Sequence, residues 1–497
     1  MESSQKRKAL HPALVGVIVL AFFLKYAAYA FFITPLWVIP DETGHYSYVE
    51  DISHGDIPVL GQAQMGEDVT ASQFGPNQTP GLNWIAQHPP LYYMLAAPSL
   101  VAARAMGLSF ESQVRSVRLV SALFGAMTIF GFICLITEAT GNGILALACA
   151  IFFGCTPMFI QQASGVSHDT LVACLAAWAT FWCARWSTTN DFRHAIWCAI
   201  FIALGLITKA TVLALAIPLY FAMSYRLWHR KSTTTTVLQV IKQASGLWLT
   251  MFLPICIWMI RNILLLHHLI PSFDDPSQQH THVAVGFFEY MHVQPFWQQC
   301  LINYVGIFVD WGYKIHALPT AMQVSGFALV YFEATFFLSA MLVLFRILAG
   351  RISRRAWVTS IVLAVGATTV IALTKTHAQF AAIDCGTILL ALLATVIIRV
   401  REISSATGTA WLLVTGSLCV MFLALLLYQQ VWAAYYGELR AAQGRYFYPV
   451  IPFLAVVLAY PMRGHHLSRA ALYASIGAML VVDNFYLHHV LKFYGQL

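Results

Sequence analysis

Long apolar runs separated by short polar gaps set the class of this chain. The runs fall near 12–34, 113–137, 143–160, 170–187, 195–208, 211–226, 246–266, 319–345, 357–374, 382–398, 409–430, 447–461 and 469–489. A helix needs about 20 apolar residues to cross the hydrocarbon core of a bilayer. Backbone in lipid must satisfy its own hydrogen bonds, which a helix does within one segment. The pattern predicts an all-α integral membrane protein, a bundle of about 13 transmembrane helices. Residues 1–497 read as one polytopic membrane domain, with no internal repeat of fixed period.

Composition agrees. The chain is 59% hydrophobic and 10% charged, whereas a soluble domain carries about 25% charged residues. The net charge of +7 does not point to nucleic acid, because most Lys and Arg lie in the short gaps, as cytoplasmic loops require. The cysteines sit mostly inside apolar runs (Cys134, Cys149, Cys174, Cys183, Cys198, Cys256, Cys419) and form no CxxC pair. They read as small packing residues. Lys6-Arg7-Lys8 followed by an apolar stretch and Ala28-Tyr29-Ala30 imitates a secretory signal. The run from about Pro12 to Ile33 spans on its own and continues past that site, which predicts an uncleaved first helix.

Charge fixes the direction of the bundle. Segment 89–107 is apolar enough to cross, but a crossing there would put Arg226/Arg230/Lys231/Lys242, Arg346/Arg351/Arg354/Arg355 and Arg399/Arg401 outside. Orientation follows the Lys/Arg bias of short loops, so 89–107 is expected to be juxtamembrane or re-entrant, with the N-terminus cytoplasmic. The outside then receives a first loop over 35–111, a second large loop over 267–318, a shorter connection at 431–446 and the short 161–169 loop.

Candidate chemistry gathers on that outer side. Pro40-Asp41-Glu42-Thr43-Gly44-His45-Tyr46 follows the first span and sets two carboxylates and a histidine where the chain leaves the membrane. A partly desolvated carboxylate there suits a general base; an acidic pair also suits the first turn of a helix. Gln87-His88-Pro89-Pro90-Leu91-Tyr92-Tyr93 offers a histidine and two tyrosines to an anion, or simply an interfacial aromatic belt. Ser167-His168-Asp169 opens a later span, where Asp also serves as a helix cap. Lys209, Arg261, Arg440 and Arg445 form a cationic set at or near the outer surface. Such cations could hold a lipid phosphate or snorkel to the headgroups. Lys25 inside the first span receives no role. No HExxH or glycine-rich phosphate loop is present, which leaves nucleotide and zinc-peptidase chemistry without support.

In this order and spacing the motifs resemble the GT-C membrane glycosyltransferases. That superfamily includes the protein O-mannosyltransferases and the bacterial aminoarabinose transferases. The likeness is nearest to predicted bacterial members with a Pro-Asp-Glu…His signature and a late Gly-Arg-Tyr, here Gly444-Arg445-Tyr446. The resemblance implies a large first extracytoplasmic loop carrying juxtamembrane helices and a polyprenyl-phosphate-linked sugar donor. A glycan, lipid or protein hydroxyl would be the acceptor, at the periplasmic face of a bacterial inner membrane. Asp41 would be the general base, with Glu42 and Asp169 orienting groups around it. The donor-binding set would be His45, His88, Tyr92, Tyr93, His168, Lys209, Arg261, Arg445 and Tyr446. The resemblance implies no metal and no cofactor. Fixed cations would stabilise the leaving phosphate, and attack from the opposite side would invert the sugar's anomeric centre. A secondary transporter is the competing expectation, since intramembrane charges serve transport as well. The paired broken helices common in transporters are not visible in the sequence.

Overall fold

The computed structural model describes residues 9–229, 236–269, 307–309, 315–317, 444–459 and 465–495. The expected spans at 319–345, 357–374, 382–398 and 409–430, most of the loops 267–318 and 431–446, Arg440 and Cys419 lie outside the described residues. The described part is mostly helical. Its one short hairpin pairs β1 (Ile307–Val309) with β2 (Ile315–Ala317) inside the second large loop.

Helix α1 (Pro12–Ala28) starts where His11 caps Ala13 N–H and Pro12 takes the first helical position, a site where a missing N–H costs nothing. It widens into a π-turn over Tyr29–Ile33. The first loop then carries α2 (Glu42–Ser53), α3 (Glu67–Phe74), a 3-10 turn at Trp84–Gln87 and α4 (Leu91–Ala105). The long α5 (Phe110–Thr140) follows, capped by Ser109 and closed by Gly141 in the left-handed region, the usual stop for a helix. Next come α6 (Gly143–Gly154), α7 (Pro157–Ala163), α8 (Asp169–Thr189), α9 (Phe192–Leu206), α10 (Leu213–His229) and α11 (Val237–Leu266). A capping box between Thr236 and Gln239 starts α11. Near the C-terminus lie α12 (Ile451–Ala459) and α13 (His465–Phe493).

Among the described residues five helical segments are long and apolar enough to cross a membrane: Pro12–Ile33, Phe110–Thr140, Ala210–Trp228, Val237–Leu266 and Ser468–Phe493. The run expected as one span at 143–160 is broken instead. Its halves, α6 and α7, meet at 74°, because Cys155 leaves the helix and Pro157 starts a new one with Thr156 as its cap residue. Helix α8 is buried along most of its length between α5 and α9.

Helix α4 has 15 residues, or about 22 Å of rise, against a hydrocarbon core of about 30 Å. It is too short to cross. One face, with Tyr92, Tyr93, Ala96, Leu100 and Ala103, is buried, and α4 packs on α2 and α5. The other, with Met94, Leu95, Val101 and Met106, is exposed. A helix apolar on both faces suits a lipid or protein surround.

Helix α5 is the central post, packing against α1, α4, α6 and α8. Apolar side chains gain little by leaving lipid for protein, so close approach of backbones carries more weight here. Cβ atoms built at Gly125 and Gly131 would fall 2.9 Å from Ala163 Cβ and 3.0 Å from Ala177 Cβ, respectively. Those two glycines let α5 sit directly on α7 and α8. A third cluster, with Trp37, Tyr46, Tyr48, Tyr92, Tyr93, Leu100, Val117 and Leu171, fastens the first loop onto α4, α5 and α8.

Helix α2 is tied to α4 by Arg104, whose Nη2 donates to Glu50 Oε1 at 2.8 Å. Burial pushes the Glu50 carboxyl up from 4.5 to about 7, with Arg104 opposing. A folded-state pKa above the unfolded one gives stability that is complete below about pH 4.5 and lost as pH rises through 7. Glu50→Gln keeps an acceptor for Arg104 and never ionises. It is expected to raise the thermal midpoint in detergent at pH 8 and leave it nearly unchanged at pH 5. Equal midpoint differences at both pH values would rule this account out.

Candidate active site

Two helix N-termini converge on the cleft beside the first loop. Asp41 precedes α2 with φ 65°, a left-handed conformation that Asp tolerates better than most residues. Its carboxylate does not cap its own helix. It accepts from Arg445 Nη2 at 2.7 Å and from Trp84 Nε1 at 3.3 Å. Asp169, the first residue of α8, accepts from Lys209 Nζ at 2.7 Å through Oδ1, and its Oδ2 lies 3.4 Å from Arg445 Nε. Both carboxylates therefore face cations on other elements.

Arg445 stands between the two acids. Its Nη1 also donates to Gln162 Oε1 at 3.4 Å, and Gln162 in turn accepts from Ser167 Oγ at 2.5 Å. Lys209 lies over the Tyr446 ring, 5.0 Å from its centroid. The side chains of Asp169, Lys209 and Arg445 are 3–7% exposed, whereas that of Asp41 is 34% exposed. Asp41 is the open corner of an otherwise closed cluster. The four charges sum to zero, so the cluster can remain buried without a counter-ion. Asp169 Oδ2 and Arg445 Nε face each other at 3.4 Å as an ion pair without a well-formed hydrogen bond.

Burial would push the Asp41 carboxyl up, but Arg445, then His45 and Lys209, hold it below its ordinary value. Asp41 is an anion at neutral pH. His45, one turn further along α2, is driven down to about 3 by burial despite Asp41 and Asp169 nearby. His88 is likewise held well below the usual histidine range, first by burial and then by Lys209. Both rings are neutral under physiological conditions.

The histidines form a second layer behind the charges. His45 and His168 meet edge to face at 4.6 Å, as do His88 and His168 at 4.5 Å. The Tyr93 hydroxyl bridges His45 Nδ1 at 2.9 Å and His168 Nδ1 at 3.0 Å. Tyr93 is held in place by Tyr48, stacked on it at 3.8 Å. Among the described residues no group of three His, Cys, Asp or Glu side chains is arranged to hold a metal ion.

Three residues expected at the site are placed otherwise. Glu42 faces inward, with both oxygens taken by Arg118 at 2.7 Å and by the N–H groups of Val166 and Trp37 at 3.0 Å. Arg118 also donates to the carbonyls of Ala30, Thr34 and Pro35; Ala30 lies in the π-turn at the end of the first span. Glu42 thus anchors the segment that carries Asp41 and has no free oxygen for a substrate. Tyr92 is turned into the core, its hydroxyl on Ser121 Oγ at 2.7 Å and Ser167 N–H at 3.1 Å. Arg261 stacks over Trp258 and donates to the carbonyls of Ile57 and Pro58. It ties α11 to the first loop, since the helix delivers it there and not into the cleft.

Arg118, Gln162 and Trp84 are the contacts that sequence patterns did not single out. Arg118 had a usable signal, being a cation inside the start of an apolar run, one turn after Arg115. Gln162 and Trp84 had none.

The site and the apolar helices define an integral membrane protein with a buried ionic cleft. Residues 88–258, which are 171 of the 497, match the family model described as dolichyl-phosphate-mannose-protein mannosyltransferase. The match covers about a third of the chain and shows that residues 88–258 share the sequence pattern of that family. Comparison with curated protein sequences returns no significant match. Solved structures similar to it include three. The donor-bound protein O-mannosyltransferase complex of S. cerevisiae is 15% identical with TM-score 0.38, over 56% of this chain and 37% of that one. The Archaeoglobus fulgidus oligosaccharyltransferase is 12% identical with TM-score 0.45, over 95% and 53%. ArnT from Cupriavidus metallidurans, bound to undecaprenyl phosphate, is 13% identical with TM-score 0.32, over 90% and 77%. The chain therefore spans only about a third to a half of the first two. Scores below 0.5 do not establish a common fold, so the functional reading rests on the family match and on the cleft itself.

Proposed function

We propose that this protein is a GT-C glycosyltransferase that moves a sugar from a polyprenyl-phosphate carrier to an acceptor hydroxyl. The cleft opens on the non-cytoplasmic side of a bacterial inner membrane, in a single domain of about 13 spans. Supporting this most is the meeting of Asp41, Asp169, Lys209 and Arg445 within one buried cluster that is open only at Asp41.

Cleaving a sugar–phosphate bond builds negative charge on the departing phosphate. Lys209 and Arg445 are fixed cations in a water-poor site, where such stabilisation is usually the largest catalytic effect. Arg445 holds its Nε only in a long 3.4 Å contact with Asp169, and a guanidinium suits two-point contact with phosphate. Asp41, ionised and partly exposed, takes the proton of the incoming hydroxyl. Attack by that hydroxyl from the side opposite the departing phosphate inverts the anomeric carbon. The match to a dolichyl-phosphate-mannose family model also favours a lipid-phosphate donor.

The test uses the purified full chain in proteoliposomes with a radiolabelled polyprenyl-phosphate sugar and a hydroxyl acceptor pool from the envelope. Label appearing on the acceptor, with release of polyprenyl phosphate, is the expected result. Protein-dependent movement of solute across the bilayer with no glycosylated product would replace this reading by the transporter.

A further inference from the structure

The hydroxyl of Tyr93 has one proton and two imidazole neighbours, His45 Nδ1 at 2.9 Å and His168 Nδ1 at 3.0 Å. It donates to one ring and accepts N–H from the other, so the two neutral rings carry opposite tautomers. His168 Nε2 lies 3.6 Å from Asp169 Oδ1, which favours the proton on that nitrogen. His168 then accepts from Tyr93 at Nδ1, and His45 donates to Tyr93 from its own Nδ1. The free lone pair of His45 is left on Nε2. Asp41 stands four residues before His45, whose N–H bonds its carbonyl at 3.1 Å, and the Asp41 carboxylate and the His45 ring are near enough to act on each other electrostatically.

Resting on the glycosyltransferase reading, we propose that Tyr93 is a positioning residue joining His45 and His168 into a proton path from Asp41 to Asp169. Protonation of Asp169 at the end of that path releases Lys209 to the departing phosphate. In the step, the O–H of protonated Asp41 breaks and its proton passes to His45 Nε2. The Nδ1 proton of His45 moves to the Tyr93 oxygen, and the Tyr93 proton moves to His168 Nδ1. The Nε2 proton of His168 goes to Asp169 Oδ1. Asp41 is again a carboxylate, Asp169 is a neutral acid, and no electrons change hands. The 2.7 Å ion pair between Lys209 and Asp169 thereby loses its anionic half as the phosphate gains charge. The last contact, at 3.6 Å, is longer than a hydrogen bond, and catalytic contacts of this kind tighten when substrate binds.

The charged and titratable groups around the path are Asp41, His88, Asp169, Lys209 and Arg445. Burial, then Lys209, also holds His168 well below the usual histidine range; with His45 and His168 neutral, the path starts with no second proton on either ring.

Tyr93→Phe removes one oxygen and keeps the ring stacked on Tyr48. In the proteoliposome assay it is expected to lower kcat by about 10- to 100-fold, less than the 10²–10⁴ of a general base that meets the reacting group itself, with donor KM unchanged. Proton inventories in H2O–D2O mixtures should be curved for the wild type and straight for the variant. His45→Gln should give a similar loss, and the double variant should be no worse than either single one, since both break one path. Additive losses would overturn the path, as would a rise in donor KM at constant kcat, the mark of a phosphate ligand. An inactive wild type would remove the functional reading and the path together. An active wild type equalled by Tyr93→Phe would remove the path alone.

Discussion

Asp41→Asn is expected to lower sugar transfer by about 10²–10⁴, the range for loss of a positioned general base, while the protein stays at normal abundance in the membrane. Asn retains an oxygen for Arg445 and Trp84, and the Asp41 side chain caps no helix, so the fold has little to lose. What disappears is the anionic lone pair facing the open corner of the cleft. The wild-type pH profile carries the same information. Arg445 outweighs burial and holds the Asp41 carboxyl below its ordinary 3.8, and the base form is the active one. The acid limb due to Asp41 should thus begin only below about pH 3.8, with activity lost as pH falls through the depressed value. Label transfer in membranes normalised to protein amount measures both. Transfer at wild-type rate in Asp41→Asn would exclude this residue from the chemistry.

Arg118→Met is expected to do the reverse, removing the protein before activity can be measured. The side chains of Arg118 and Glu42 are both fully buried and paired at 2.7 Å. Removing one partner of such a pair leaves a buried charge without compensation, at a cost of about 3–5 kcal/mol. Arg118 also satisfies the carbonyls of Ala30, Thr34 and Pro35, which would lose their donor. Membrane abundance and thermal midpoint in detergent should both fall. Adding Glu42→Gln to the same chain should recover part of the loss, since the remaining partner is then neutral. Normal abundance with no transfer in Arg118→Met would instead place the Glu42–Arg118 pair in the reaction.

These two variants separate roles that adjacent residues cannot reveal from sequence. Asp41 and Glu42 are chemically alike, but the left-handed backbone at Asp41 sends their side chains apart. One faces Arg445 in a cleft and the other an arginine in the core. A third residue, Arg261, lies with the cations along the sequence, yet its helix brings it to the Ile57 and Pro58 carbonyls. The break between α6 and α7 was also hidden. Cys155 is apolar enough to extend the run, and only the 74° turn at Thr156–Pro157 shows two helices.

What the linear chain determined by itself was its solvent and its inventory of polar groups. Lipid forces apolar runs into helices, and it makes ionisable residues at membrane depth so costly that those present stand out one by one. Asp41, His88, Asp169, Lys209 and Arg445 could be named on that ground. Which of them meet was decided in three dimensions. Arg445 is 404 positions from Asp41 and still donates to it at 2.7 Å, because packing around α5 brings the two ends of the chain together. Charges in a low-dielectric interior act over a few ångströms and on whatever partner the fold supplies. Sequence spacing holds no record of that distance.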